Sequence, residues 1–169
     1  WQDLAQEEQH IQANQCLNHA VEEYKNGLLY DTERDTYLIT RLRRILQRTV
    51  WAITSQMNQG EFRTVESELS FKNLYGPVNL AGRIDRVDKA SKENVDYITI
   101  VDYKTGQKDI SMSDLYYGLQ MQLVIYLKAV VDKERENTEG ERIVVPAGVL
   151  YYNIDDPVLE GKIPEDKRE

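Results

Sequence analysis

The stretch Gly82-Arg83-Ile84-Asp85-Arg86-Val87-Asp88, followed after a polar interval by Ile100-Val101-Asp102-Tyr103-Lys104-Thr105-Gly106, decides how this chain is read. Residues 78–87 form an extended run, and residues 97–104 are rich in Ile, Val, Thr and Tyr, the composition of strands. Aspartate is disfavoured inside a strand, so Asp85 and Asp102 call for a local reason. Asp102 and Lys104 are two residues apart and therefore point to one face of their strand. If the two strands pair, Asp85 and Asp102 converge. Two carboxylates with waters and a phosphate oxygen make a site for Mg2+, a hard cation that prefers oxygen ligands, with Mn2+ as a substitute. Lys104 would then position or activate a water beside the metal and stabilise negative charge developing on the phosphate. These are the needs of phosphodiester hydrolysis. Taken alone, the Asp-x-Lys triplet is better explained by a surface ion pair of little worth.

Working outward, residues 62–71 alternate, with Val65, Leu69 and Phe71 on one face and Glu66, Glu68 and Ser70 on the other. Tyr75-Gly76-Pro77 marks a turn into the second strand, and a polar turn over 89–96 leads to the third. A helix opens near Ser111, with Asp114 three residues on resembling a capping box. It continues through Leu115, Leu119, Leu123, Tyr126, Leu127 and Val130 at helical spacing. Residues 133–141 read as a loop, and 143–152 as a last strand that Pro146 and Gly148 make bulged or place at an edge. Ahead of the strands, residues 3–26 read as a loosely patterned helix, interrupted near Gly27. A second helix follows with Leu38, Leu42, Ile45, Leu46, Ile53 and Met57 on one stripe. Arg41, Arg44 and Arg48 share its other side, as a solvated face or a phosphate-tracking surface. The order helix, helix, three strands, helix, strand predicts an α/β fold, a mixed β-sheet flanked by helices. Residues 1–60 make a helical part, 61–157 the core, and 158–169 a charged, turn-rich tail.

The 169 residues, 41% hydrophobic and 30% charged, suit one soluble domain. No stretch reaches the roughly 18 apolar residues of a membrane span, and no signal segment opens the chain. Trp1 stands first rather than Met, which suggests a piece of a longer protein. One cysteine, Cys16, cannot build a disulfide framework or a cysteine metal cluster alone, so a reducing, cytoplasmic setting is expected. The net charge of -8 is carried by the flanks: residues 37–131 hold 13 basic and 10 acidic side chains. An anionic polymer therefore stays open as substrate. No phosphate-cradling GxxxxGKS/T loop or GxGxxG turn occurs, so the chain has no such nucleotide site.

The two aspartate runs, with Tyr116-Tyr117-Gly118-Leu119-Gln120-Met121-Gln122-Leu123-Val124-Ile125-Tyr126, resemble the RecB-like branch of the PD-(D/E)XK nucleases. Within that branch the chain is most similar to the nuclease domains of the AddB (RexB) family of helicase/deoxyribonuclease B subunits. Pro146-Ala147-Gly148-Val149-Leu150-Tyr151-Tyr152 with Asp155-Asp156-Pro157 extends the likeness, which is most specific over 82–126 and fades before residue 60. The resemblance implies a PD-(D/E)XK restriction-endonuclease-like core. It makes Asp85, Asp102 and the Tyr103 carbonyl metal ligands and Lys104 the catalytic lysine. Gln122 and Tyr126 match a Gln-x-x-x-Tyr motif implied to contact DNA or support the site, with Gln120 a weaker candidate two residues away. Glu68 matches a glutamate on the preceding strand, implied to hold a water or support the metal ligands, and is equally readable as an exposed strand residue.

Two departures stand out. The family places a metal-binding histidine on a helix before the first strand. His10 and His19 lack its setting and read as surface or packing residues, so that histidine is expected ahead of Trp1. The family also brackets the domain with four cysteines holding an iron-sulfur cluster, expected in the full-length protein and not in this chain. The resemblance thus implies a Mg2+-dependent DNA exonuclease, acting on DNA read as single-stranded, alongside an AddA-type helicase-nuclease partner, in double-strand break repair and recombination. Rival readings are an inert nuclease-fold scaffold of the same complex, a structural cation site in an unrelated protein, and a stand-alone RecB-like exonuclease.

Overall fold

The computed structural model describes residues 5–24, 32–75 and 78–156. Its elements are α1 (Gln6–Glu23), α2 (Glu33–Asn58), β1 (Arg63–Tyr75), β2 (Val78–Lys92), β3 (Val95–Thr105), α3 (Met112–Tyr116), α4 (Gln122–Asn137) and β4 (Ile143–Ile154). The strands form one mixed sheet in the order β1-β2-β3-β4. The first three are antiparallel neighbours, and β4 returns parallel to β3 after the helical crossover that a parallel neighbour requires. The interruption after α1, the turn at Gly76-Pro77 and the tail at 158–169 lie outside the described residues.

α4 covers one face of the sheet. Its Leu123, Val130 and Val131 join Ile84, Val87, Ile98, Ile100 and Val144 in the main buried cluster. Ile84 and Val87 are three residues apart and both enter it, so the strict alternation of β2 is broken between them. The neighbouring strand carries a matching irregularity: Glu68 adopts φ 52, a left-handed conformation costly for a residue with a side chain. On the other side of the sheet Thr49 of α2 lies near the Tyr152 hydroxyl of β4. The C-terminal end of α2 borders a cavity of about 260 Å³ whose wall includes Gln56, Arg86, Asp88 and Thr99. α1 packs on α2 through polar pairs, Asn18 with Arg43 at 3.2 Å and Asn14 with Gln47 at 3.1 Å.

Several boundaries differ from the sequence reading. The expected polar turn over 89–96 shrinks to Glu93-Asn94, because Lys89 and Asp96 belong to the paired strands. The expected continuous helix from Ser111 is two helices. Ser111 does cap the first, its Oγ accepting from the Asp114 amide at 3.1 Å. Gly118, at φ 75, ends it: the Leu119 amide donates to the Asp114 carbonyl and the Gly118 amide to that of Leu115, the paired bonds of a Schellman motif. The expected loop over 133–141 is helical to Asn137, since Lys133 to Glu136 are good helix formers on a solvated face. The apolar stripe of α2 is less buried than its spacing implies. Leu38 and Leu42 are exposed, while Ile39 and Thr54 are buried. Pro146 and Gly148 act as expected, since the β3–β4 register slips by one residue there and β4 is an edge strand.

Asp96 fastens the turn end of the sheet. It is buried, and its carboxylate accepts from Ser91 Oγ at 2.6 Å and from Arg142 Nη2 and Nε at 2.7 and 3.0 Å. The Arg142 guanidinium, ahead of Ser91 and Lys89, holds its carboxyl at about 2, below the usual 3.8. A depressed carboxyl stabilises the fold while ionised, so its contribution, on the order of 2 kcal/mol, is complete above about pH 4 and lost as pH falls toward 2. Urea unfolding across that window should show the parent losing stability, and Asp96→Asn starting lower at pH 7 and changing less.

Candidate active site

The β2–β3 ladder starts at Lys92 opposite Val95 and ends at Arg86 opposite Val101. Asp85 and Asp102 are the next residues on their strands, where the ladder stops. There the Asp85 carboxylate takes over a role the backbone of β2 would have played: Oδ2 accepts from the Tyr103 amide at 2.8 Å. An amide left unpaired in a sheet is costly, so this bond fixes Asp85 against Asp102-Tyr103.

Asp102 is 5% exposed, and its Oδ2 is in an ion pair with Lys104 Nζ. Apart from that ion pair, no hydrogen-bond donor among the described residues reaches Oδ2. Asp102, as hydrogen-bond partner and then as charge, raises the pKa of Lys104 above its usual 10.5, with smaller contributions from Tyr151 and Asp85. Lys104 is therefore an ammonium at neutral pH, placed to stabilise negative charge rather than to accept a proton. The aspartates and the lysine expected to converge are brought together. The donor set suits Mg2+: hard carboxylate oxygens, one of them buried with the Lys104 ammonium against it. Among the described residues no group of three His, Cys, Asp or Glu side chains is placed to hold a metal. Two carboxylates are enough for an ion that keeps several waters.

Other residues singled out in the sequence fall into place around this pair or away from it. Tyr126 leans on β2. Its ring meets Phe71 edge-on at 5.2 Å, its hydroxyl accepts from Gln122 Nε2 at 3.0 Å, and it lies directly over Gly82, three residues before Asp85. Gln122 is exposed beside it. Gln120 instead secures the loop ahead of α3. Its Oε1 accepts from the Ser111 amide at 3.1 Å and its Nε2 donates to Asp114 Oδ2 at 3.3 Å. Glu68 lies across from Asp85 in β1, but its exposed carboxylate reaches Arg83 at 3.5 Å and is not gathered with the aspartates. The Tyr103 ring packs edge-on against Tyr152 at 5.6 Å, and its hydroxyl accepts from Arg86 at 2.9 Å. His10 and His19 lie on α1, with His19 3.5 Å from Glu23. Cys16 is an exposed thiol on the same helix.

Three residues escaped the sequence reading. Tyr151 lies opposite Asp102 in the β3–β4 register, and its ring has Lys104 Nζ at 5.7 Å and Lys108 Nζ at 5.6 Å. Asn153, opposite Lys104, holds the loop carrying Lys108 by two bonds, accepting from the Lys108 amide at 3.2 Å and donating to its carbonyl at 3.1 Å. A second cation is thus fixed beside the first. No local signal announces it, because it depends on how β4 registers after the crossover.

A family model described as the PD-(D/E)XK nuclease superfamily matches residues 2–169. The chain belongs to the PD-(D/E)XK nuclease superfamily. This nuclease is also similar to curated proteins named as the B subunits of ATP-dependent helicase/deoxyribonucleases. That of Lachnoclostridium phytofermentans is 40% identical over 94% of the chain and 14% of the relative. Those of Alkaliphilus oremlandii and Clostridium acetobutylicum are 36% and 38% identical over 95% and 92% of the chain, and 15% of each relative. The nuclease chain thus spans 14 to 15% of the length of these relatives. No described helix is long and apolar enough to cross a membrane.

Proposed function

We propose that this nuclease domain cuts DNA strands exonucleolytically with Mg2+, as the AddB-type nuclease of an AddAB-type helicase-nuclease that processes double-strand breaks for recombination in the cytoplasm. The observation that carries the reading is the meeting of Asp85, Asp102 and Lys104 where the β2–β3 ladder ends. The names of the similar proteins support a helicase partner, read as AddA, and DNA as substrate. Residues 1–60 are proposed as the helical part, 61–157 as the core, and an iron-sulfur cluster as belonging to the longer protein.

In this reading Asp85 and Asp102, with the Tyr103 carbonyl, would hold the metal, which would supply Lewis-acid polarisation and a more acidic water. Lys104, protonated and facing the carboxylates, would position an attacking water and stabilise charge as it builds on the phosphate oxygens. Lys108 adds a second positive charge for the incoming strand, and Tyr126 keeps β2 in place behind Asp85. Gln122 presents an exposed amide to DNA, Gln120 orders the loop between the lysines and α4, and Glu68 serves as an outer carboxylate near the metal waters.

The test is cleavage of end-labelled single-stranded DNA with Mg2+ or Mn2+, with cation affinity measured calorimetrically on the same protein. Metal-dependent cutting and metal binding that both disappear in Asp85→Ala are the expected result. If a chain extended upstream to include a candidate histidine neither cuts nor binds metal through Asp85 and Asp102, the domain is an inert scaffold instead.

A further inference from the structure

We infer that Arg41, Arg44 and Arg48 form a phosphodiester-binding strip that guides a nucleic-acid strand past the end of β4, with Asp156 holding the three guanidiniums in place. The inference rests on the nucleic-acid reading above and assigns a second contact surface, separate from the metal carboxylates.

The three arginines stand at i, i+3 and i+7 on α2, one face of the helix. All reach the carboxylate of Asp156: Arg41 Nε and Arg44 Nη2 to Oδ2 at 2.9 and 2.7 Å, and Arg48 Nη2 to Oδ1 at 3.4 Å. The Asp156 side chain is 6% exposed, while those of the arginines are 46%, 62% and 46% exposed. Among the described residues one carboxylate contacts all three guanidiniums, with Asp155 beside it in the chain. Each guanidinium has five N–H donors and commits one of them here, so most of the donor array faces solvent. A planar fork of this kind matches the non-bridging oxygens of a phosphate as it matches a carboxylate. A clasp needed only to fasten β4 to α2 would be complete with one arginine.

The position fits a strand running to or from the metal site. In the β3–β4 register Tyr151 lies opposite Asp102, Asn153 opposite Lys104 and Ile154 opposite Thr105, and Asp156 follows two residues later, at the same end of the sheet. Thr49, next to Arg48, lies near Tyr152, whose ring packs on Tyr103 between the two catalytic positions of β3. In a chain of net charge -8, three half-exposed arginines that share one contacting carboxylate among the described residues give an anionic polymer a local path at that end.

The experiment measures affinity for single-stranded oligonucleotides of several sequences over a salt series in EDTA, with cleavage in Mg2+ assayed on the same preparations. Removing three arginine charges in Arg41→Gln/Arg44→Gln/Arg48→Gln, which leaves Asp156 as a lone anion, should flatten the slope of log affinity against log salt by about 1.4 to 2.1, alike for every sequence. The single variant Arg44→Gln, a milder change to the clasp, should flatten it by about 0.7. Asp156→Asn, which removes the internal anion, should tighten binding at low salt and steepen the slope. Folding is checked by circular dichroism, and if the triple variant does not fold, Arg44→Gln and Asp156→Asn decide. Parent binding and cutting with slopes unchanged in the folded arginine variants would overturn the strip and leave the nuclease reading intact. A parent that neither binds nor cuts nucleic acid would overturn both.

Discussion

Lys104→Met is expected to lower strand cutting by roughly 10²- to 10³-fold, the loss typical of one charge-stabilising group, while divalent-cation binding persists. Asp102→Ala should abolish both. The contrast follows from Asp102 Oδ2, whose one cationic contact is the Lys104 ammonium. A metal taking that oxygen must share it with Lys104 or displace it. Without the lysine, a buried carboxylate is left unpaired, at a cost of about 3–5 kcal/mol in the metal-free protein. A cation then does for Asp102 what Lys104 did. Thermal melts should therefore show Mg2+ stabilising Lys104→Met more than the parent, with cutting still lost in single-turnover assays. Parent-like cutting by Lys104→Met would confine the lysine to neutralising Asp102.

Gly82→Ala should destabilise the fold by about 1–3 kcal/mol and depress cutting without touching a metal ligand. A Cβ at Gly82 would lie 2.9 Å from Phe71 Cε1 and from Tyr126 Cε1 and Oη. Tyr126 cannot easily yield, because Phe71 packs against its ring and Gln122 holds its hydroxyl. Relief must come from β2 itself, three residues before Asp85. Adding Tyr126→Phe removes one of the three close atoms, so the double variant should lose less stability than the sum of the two single changes. Urea unfolding of the four proteins measures that coupling, and strict additivity would contradict the close approach.

Much of this is legible in the chain. Alternation and composition define the β2–β3 pair, and with it the convergence of Asp85 with Asp102 and Lys104, because an antiparallel hairpin leaves little freedom in who faces whom. The helix after Ser111 reads as continuous because Leu115, Leu119 and Leu123 keep helical phase across the break. Gly118 is the signal of that break, a glycine placed to take the left-handed position after a last turn. Asp96 reads as a turn residue because its partner Arg142 lies beyond α4. The arginine row is visible as charge, but Asp156, which gathers it, is 108 to 115 residues away, and no periodicity reports such a distance. Lys108, Tyr151 and Asn153 are hidden for the same reason, since a parallel strand's register is set by packing after the crossover. Glu68 is the reverse case: its motif match is legible in the chain, but its contact with Arg83 is not.

The separations that hide the arginine clasp also set the order in which parts of the protein let go. The bond from the Tyr103 amide to Asp85 closes a span of 18 residues, through a two-residue turn, whereas that from Arg44 to Asp156 closes 112. By loop-closure entropy alone the longer span costs roughly 1.6 kcal/mol more to close. The clasp also follows an edge strand, β4, while the carboxylates ride on the neighbouring strands β2 and β3. Fraying of β4 from its C-terminal end thus frees three cations before it disturbs the metal-facing pair. The grip on a passing strand and the chemistry done to it rest on separately opening units of one small sheet.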